Sequence, residues 1–227
     1  MNITDKKLEK WSQHIRHYRL PLVDKVSDLK MVSGKGLELG AGTSWLSSVL
    51  SRLPAVTHLI ALDIDEDRLE LAKDFFVGTF DGSKEKISFV KADYHVLPFP
   101  DAEFDFIVCD AALHHAEDLH QLLEEVRRVL KPFGIFVALR EPMLPSLELL
   151  RAWKRLTFGL WERIRGDIEN TYTKEEWLSN FKKAGLILQI GEYFLDTTPK
   201  ERFIGLLRRF NGFLFSRYFF TAKSISS

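Results

Sequence analysis

The sequence predicts an α/β fold in which helices cover both faces of a mostly parallel sheet. Three observations carry that reading. Between residues 36 and 139, short apolar runs of strand length alternate with segments whose apolar residues recur at helical spacing, the rhythm of strands joined by crossover helices. The first of these runs passes directly into Gly40-Ala41-Gly42, which reads as a strand-to-helix turn. The chain has 227 residues, 45% apolar and 28% charged, enough for one domain that buries roughly 70% of its unfolded surface without staples.

Taken in order, a first strand is expected at 36–39 and a helix at 43–53. The run Thr57 to Asp63 is a second strand. A helix at 66–76 comes next, with Leu69, Ala72, Lys73 and Phe76 at helical spacing. Third and fourth strands fall at 87–92 and 104–109. A helix at 119–130 places Leu122, Val126 and Val129 on one face, and Lys131-Pro132-Phe133-Gly134 stops it before a fifth strand at 135–139. The rhythm then changes. Pro142 and Pro145 open a stretch to about 170 that carries a helical apolar stripe including Trp153 and Trp161, flanked by Arg151, Lys154, Arg155, Arg163 and Arg165. Thr173-x-x-Glu176 is a capping box for a helix that ends at Ala184-Gly185. A sixth strand covers 186–190, extending as far as 194. Thr198-Pro199-Lys200-Glu201 is a second capping box, for a helix to about 210. A final strand lies within 213–222.

Composition excludes several classes. A single cysteine, Cys109, cannot build an intramolecular disulfide framework and fits a reducing compartment. The polar start, with no apolar run behind it, reads as no signal peptide. No uncharged apolar run approaches the ~18 residues of a membrane span. The expected location is therefore cytoplasmic. The net charge of zero hides an asymmetry. Residues 1–33 carry 7 Lys/Arg and 4 Asp/Glu (+3), residues 34–141 carry 11 and 19 (−8), and residues 142–227 carry 14 and 9 (+5). A holder of nucleic-acid backbone would be basic overall, so no nucleic-acid partner is expected. The basic last third suits a small anion or an anionic surface.

The acidic middle concentrates the chemistry. Glu38, Asp63, Asp93 and Asp110 each fall at the carboxyl end of a predicted strand, where open α/β sheets bind ligands. Glycines at 40 and 42 let a ligand approach the backbone. The position where a dinucleotide turn needs a third glycine holds Trp45. Glu38, one residue before the turn, repels phosphates and suits a cationic amine. Both features argue against a nicotinamide cofactor. Asp63, 21 residues beyond Gly42, can accept two ribose hydroxyls; the plainer reading is a helix cap. No His-x-x-x-His or Cys-x-x-Cys spacing supports a metal site. Cys109 reads as a buried strand residue.

At this point the sequence resembles the class I S-adenosylmethionine-dependent methyltransferases, in the branch of the ubiquinone/menaquinone-type enzymes. Six segments carry the resemblance in register over about 34–141: Leu37-Glu38-Leu39-Gly40-Ala41-Gly42-Thr43, Ala61-Leu62-Asp63-Ile64-Asp65, Ala92-Asp93-Tyr94-His95-Val96-Leu97-Pro98-Phe99, Phe104-Asp105-Phe106-Ile107-Val108, Ala112-Leu113-His114-His115 and Val129-Leu130-Lys131-Pro132-Phe133-Gly134. The departure is Ser44, where the family turn usually has its third glycine. The resemblance implies a Rossmann-like, doubly wound sheet of seven strands in the order 3-2-1-4-5-7-6, strand 7 antiparallel. It implies a single domain over 1–227: an N-terminal helical cap (1–33), a cofactor-binding core (34–141), a lid-like insert (142–170) and a sheet-completing end (171–227).

The resemblance also implies roles. S-adenosylmethionine is the expected cofactor and S-adenosylhomocysteine the product. Glu38 would help hold the methionine ammonium, and Gly40, Ala41 and Gly42 would pass against the cofactor. Asp63 would take the ribose hydroxyls and Ile64 would pack on the adenine. Asp93 would accept from the adenine amino group, beside the Tyr94 backbone. Asp110 and Ala111 would lie below the sulfonium. Direct in-line displacement asks the protein mainly to align and desolvate. A hydroxyl acceptor would also want a base, for which His114, His115, Asp110 and Glu141 are the candidates; the plainer role of the histidines is helix-start packing. The expected partner is a small-molecule acceptor, apolar or lipid-like among the options. The 142–170 insert reads first as a lid, with peripheral membrane contact through 146–166 as the other reading. His14, Tyr18 and Arg19 could close the opposite side of the cleft. The rival functions are a non-catalytic S-adenosylmethionine-binding regulator or partner subunit and, further off, an NAD-dependent oxidoreductase.

Overall fold

In a computed structural model of the chain, residues 5–144, 170–193 and 217–224 are described. Seven strands form one sheet: β1 (Gly34–Leu39), β2 (Val56–Asp63), β3 (Ile87–Lys91), β4 (Phe104–Asp110), β5 (Leu130–Glu141), β6 (Leu186–Tyr193) and β7 (Arg217–Ser224). Their order is β3-β2-β1-β4-β5-β7-β6. The first five are parallel, while β7 runs antiparallel to both β5 and β6. This is the order and the direction that the resemblance implied.

Side-chain alternation explains why the central strands read as unbroken apolar runs. Leu37, Leu39, Ile107, Cys109, Phe136 and Ala138 face one side. There they pack against Leu122 and Val126 of the helix Leu119–Val129 and against Trp177 and Phe181 of the helix Lys174–Lys183. Phe106, Val108, Val137 and Leu139 face the other side, with Ile15 and Leu29 from the N-terminal helices and Trp45, Leu46 and Phe76 from the crossover helices. The Thr173 capping box is present: Thr173 Oγ1 accepts from Glu176 N at 3.2 Å and Thr173 N donates to the Glu176 carboxylate at 2.7 Å.

Boundaries shift for local reasons. The helix expected from 43 starts at Trp45, because Ser44 takes a left-handed conformation with φ 49°. The helix from Glu66 passes at Ala72 into a π-turn that ends at Phe76. The helix expected to reach 130 ends at Val129, and β5 begins at once at Leu130, with Phe133 absorbing the turn at φ 65°. At its far end β5 continues to Glu141 through a register irregularity between Leu139 and Glu141, where Arg140 has φ 58°. Beyond it Met143–Leu144 pairs in parallel with Tyr172–Thr173. The apolar and basic stripe of 146–166 and the second capping box at 198–201 lie outside the described residues.

Candidate functional site

The acids and glycines singled out from the sequence gather at the carboxyl ends of β1 to β5. The turn after β1 is built from left-handed residues, Gly40 (φ 59°), Gly42 (φ 51°) and Ser44 (φ 49°). At Gly40 a side chain would meet Ala112 Cβ at 3.1 Å, with the Tyr94 ring behind it at 3.9 Å. At Gly42 the space is open apart from the Gly40 carbonyl at 4.0 Å. Ala41 N donates to Leu62 O at 2.9 Å, which ties the turn to β2. Ser44 Oγ is buried with no hydrogen-bond partner among the described residues.

Asp63 braces this turn. Its Oδ2 accepts from Gly42 N at 2.7 Å and its Oδ1 from Asp65 N at 2.9 Å. Next to it, Ile64 is 68% exposed, an apolar surface on the rim. Glu38 is buried and points to the face of the helix Trp45–Leu50. One carboxyl oxygen accepts from Ser47 N at 2.8 Å and from the Ser47 hydroxyl. Burial pushes its carboxyl up to about 8, against the pull of the Ser47 bonds and with a further push from Asp110 and Asp63.

Asp110, at the end of β4, is surrounded by donors. Its Oδ2 accepts from Trp45 Nε1 at 2.7 Å, from Arg140 Nη2 at 2.9 Å and from Arg19 Nη1 at 3.4 Å. Its Oδ1 accepts from Arg140 Nε. Ala111 comes next in a left-handed conformation, φ 56°, and donates to Leu139 O at 2.8 Å. Glu141 serves the turn beyond. Its Oε1 accepts from Ala112 N and Leu113 N at 3.0 and 3.1 Å, and its Oε2 from His114 N at 3.2 Å and His114 Nδ1 at 2.8 Å. The His115 ring lies 4.1 Å from that of His114, centroid to centroid. Asn170 fastens the same turn by donating to the His114 and Ala116 carbonyls at 2.8 and 2.7 Å.

Asp93 stands apart on the exposed side. Its Oδ1 accepts from His95 N at 2.9 Å and from His95 Nδ1 at 2.7 Å, and the backbone bond first of all holds its carboxyl below the usual range. His95 Nε2 accepts from Asp118 N at 3.3 Å, so the loop after β3 is clamped to the start of the helix Leu119–Val129. Tyr94 is half-buried, and burial raises its phenol. Cys109 is buried and burial raises its thiol, which fits the inert strand residue expected. Among the described residues no group of three or more His, Cys, Asp or Glu side chains could hold a metal ion.

The structure thus brings Gly40, Ala41, Gly42, Asp63 and Ile64 together, with Asp110 and Ala111 beside them and His114 braced by Glu141. It turns the carboxyl of Glu38 onto Ser47. Sequence reasoning missed Arg140, whose side chain reaches Asp110 only because the irregularity at the end of β5 re-aims it. It weighed Trp45 only against a dinucleotide, and did not foresee that the indole donates to Asp110 at 2.7 Å. Arg19, placed at the edge of the cleft, reaches the same carboxylate.

A family profile described as a methyltransferase domain matches residues 37–138. An uncharacterized methyltransferase, YcgJ of Bacillus subtilis, is 35% identical over 44% of this chain and 38% of its own length. UbiE of Escherichia coli, a ubiquinone/menaquinone biosynthesis C-methyltransferase, is 31% identical over 63% of this chain and 57% of its own. A sterol 24-C-methyltransferase, erg6 of Aspergillus fumigatus, is 28% identical over 71% of this chain and 42% of its own. The chain therefore spans only about half the length of these relatives. The crystal structure of YcgJ superposes with a TM-score of 0.69 at 20% identity, covering 88% of this chain and 97% of that one.

Proposed function

We propose that this chain is a class I S-adenosylmethionine-dependent methyltransferase, that it binds S-adenosylmethionine at the carboxyl ends of β1 to β4, and that it supports methyl transfer to a small, apolar acceptor. The observation that carries the reading is Asp63. Its carboxylate is fixed at the end of β2 by two backbone N–H groups, one of them from the glycine turn, and the exposed Ile64 stands beside it. A carboxylate next to an apolar rim suits a ribose and its base. The buried, unpartnered Ser44 hydroxyl and the bare backbone at Gly42 leave the turn suited to a ligand at close range.

When bound, S-adenosylmethionine supplies a methyl group already activated on its sulfonium. The chain's own groups bind, orient and exclude water. Asp63 holds the ribose hydroxyls, Ile64 covers the adenine, and Asp93 and Tyr94 close the far side. Glu38 acts through Ser47, fixing the start of the helix under the turn rather than touching the ligand. His114, whose Nδ1 lies 2.8 Å from the Glu141 carboxylate, is the candidate base for a hydroxyl acceptor. The oxygens of Asp110 already accept from Trp45, Arg19 and Arg140. An apolar acceptor is supported by the names of two relatives, which work on sterols and in ubiquinone/menaquinone biosynthesis.

Calorimetric titration tests the first half. S-adenosylhomocysteine should bind and NAD should not. Incubation of methyl-labelled S-adenosylmethionine with cell extract tests the second. Label should appear in the lipid fraction in the presence of the protein. Binding without any transfer would leave a cofactor-binding regulator in its place.

A further inference from the structure

The acids at the carboxyl ends of the strands differ in one respect. Glu38, Asp63, Asp93 and Glu141 each accept at least one bond from a backbone N–H. Backbone donors cannot leave. The donors to Asp110 among the described residues are all side chains: the Trp45 indole and the guanidiniums of Arg19 and Arg140. Side chains can exchange partners. The guanidiniums also come from opposite walls, Arg19 from between the first two N-terminal helices and Arg140 from the irregular end of β5. Their side chains are 20% and 22% exposed, against 5% for Asp110, so a ligand can reach the cations that cover the acid. Trp45 opens the helix after the glycine turn, which places the cluster directly against the nucleoside site.

We propose that the Arg19–Asp110–Arg140 cluster receives the amino-acid end of the cofactor, the two guanidiniums taking its carboxylate and Asp110 its ammonium. The inference rests on the reading of the site as an S-adenosylmethionine site. It replaces Glu38, whose carboxyl is turned onto Ser47, as the partner of the methionine ammonium. The exchange conserves charge. A zwitterion adds none, each guanidinium that leaves Asp110 gains a carboxylate with which it can pair in two-pronged geometry, and the ammonium fills the vacated place on Asp110. No ion is left buried without a counter-ion, which would be the costly outcome. In the absence of ligand both guanidiniums rest on Asp110.

The test is calorimetry on the full chain with three ligands: S-adenosylhomocysteine, its decarboxylated analogue, which keeps the amine, and 5′-methylthioadenosine, which lacks the whole amino-acid end. Arg140→Gln and Arg19→Gln should each weaken S-adenosylhomocysteine by about tenfold or more and leave the other two ligands unchanged. Asp110→Asn should weaken both amine-bearing ligands and spare methylthioadenosine. Should Arg140→Gln fail to fold, Arg19→Gln carries the same contrast from the more peripheral position. Variants that bind S-adenosylhomocysteine as the wild type does, or that lose all three ligands alike, overturn the inference while the cofactor reading stands. A wild-type chain that binds none of the three removes the cofactor reading itself.

Discussion

Replacing Glu38 by glutamine tests how the acidic rim is reconciled with a closed core. The folded protein holds this carboxyl at about 8, against 4.5 for an ordinary glutamate, chiefly because it is buried. The folded chain therefore keeps a proton that the unfolded chain has already released across that interval. Folding stability must then fall as pH rises above 4.5, and the fall must end once pH passes 8. At 1.36 kcal/mol per unit, the wild type should lose about 2 kcal/mol between about pH 6 and pH 8 through this group alone. Glutamine keeps an oxygen for the Ser47 N–H and hydroxyl but has no proton to lose. Urea denaturation at a series of pH values reads the difference. Other titrating groups, the seven histidines among them, contribute equally to both proteins, so subtracting the Glu38→Gln profile isolates Glu38. Profiles that stay parallel from pH 6 to pH 9 would refute the argument, since the carboxyl would then ionise no differently in the folded chain than in the unfolded one.

Asp63→Ala should weaken S-adenosylhomocysteine binding by roughly 1.5–3 kcal/mol, the usual worth of charged hydrogen bonds; unchanged affinity in calorimetry removes Asp63 from the ribose. Ser44→Gly, at a left-handed position with φ 49°, should raise the denaturation midpoint by the equivalent of about 1 kcal/mol, and a lower midpoint would mean that the serine hydroxyl supports the fold. Trp177→Ala should cost about 3–5 kcal/mol, because the indole is fully buried among Tyr172, Phe181 and Phe220 and donates to Pro142 O at 3.1 Å; thermal unfolding reads it, and a loss below about 1 kcal/mol would show that the second face of the sheet holds without it.

The parts of this molecule that were legible in the sequence are those whose signal is local. Leu37 and Leu39 on one side of a strand and a glycine turn directly after it announce β1 and the crossover helix beyond the turn, because strand period and left-handed backbone leave marks in consecutive residues. Asp63 was findable by its spacing from that turn, and the Thr173 box by its own four residues. The unreadable parts depend on meetings between distant segments. Nothing about Arg140 in sequence says that the strand slips there and sends its guanidinium to Asp110. Nothing about Glu38 says that one of its oxygens goes to Ser47 nine residues on; a carboxylate before a glycine turn looks equally suited to a ligand. The start of the helix at Trp45 rather than Thr43 was hidden for a smaller reason: Ser44 adopts a conformation that serine rarely takes.

The pairing of Met143–Leu144 with Tyr172–Thr173, together with the grip of Asn170 on the His114 and Ala116 carbonyls, joins both ends of the intervening stretch beside the base candidate. Ends stapled so closely make that stretch a cassette. Its length and contents can be rewritten at a small entropic cost per added residue while the seven-stranded platform keeps its register. A sequence exchange confined between Leu144 and Asn170 should therefore leave the glycine turn and its brace on Asp63 in place.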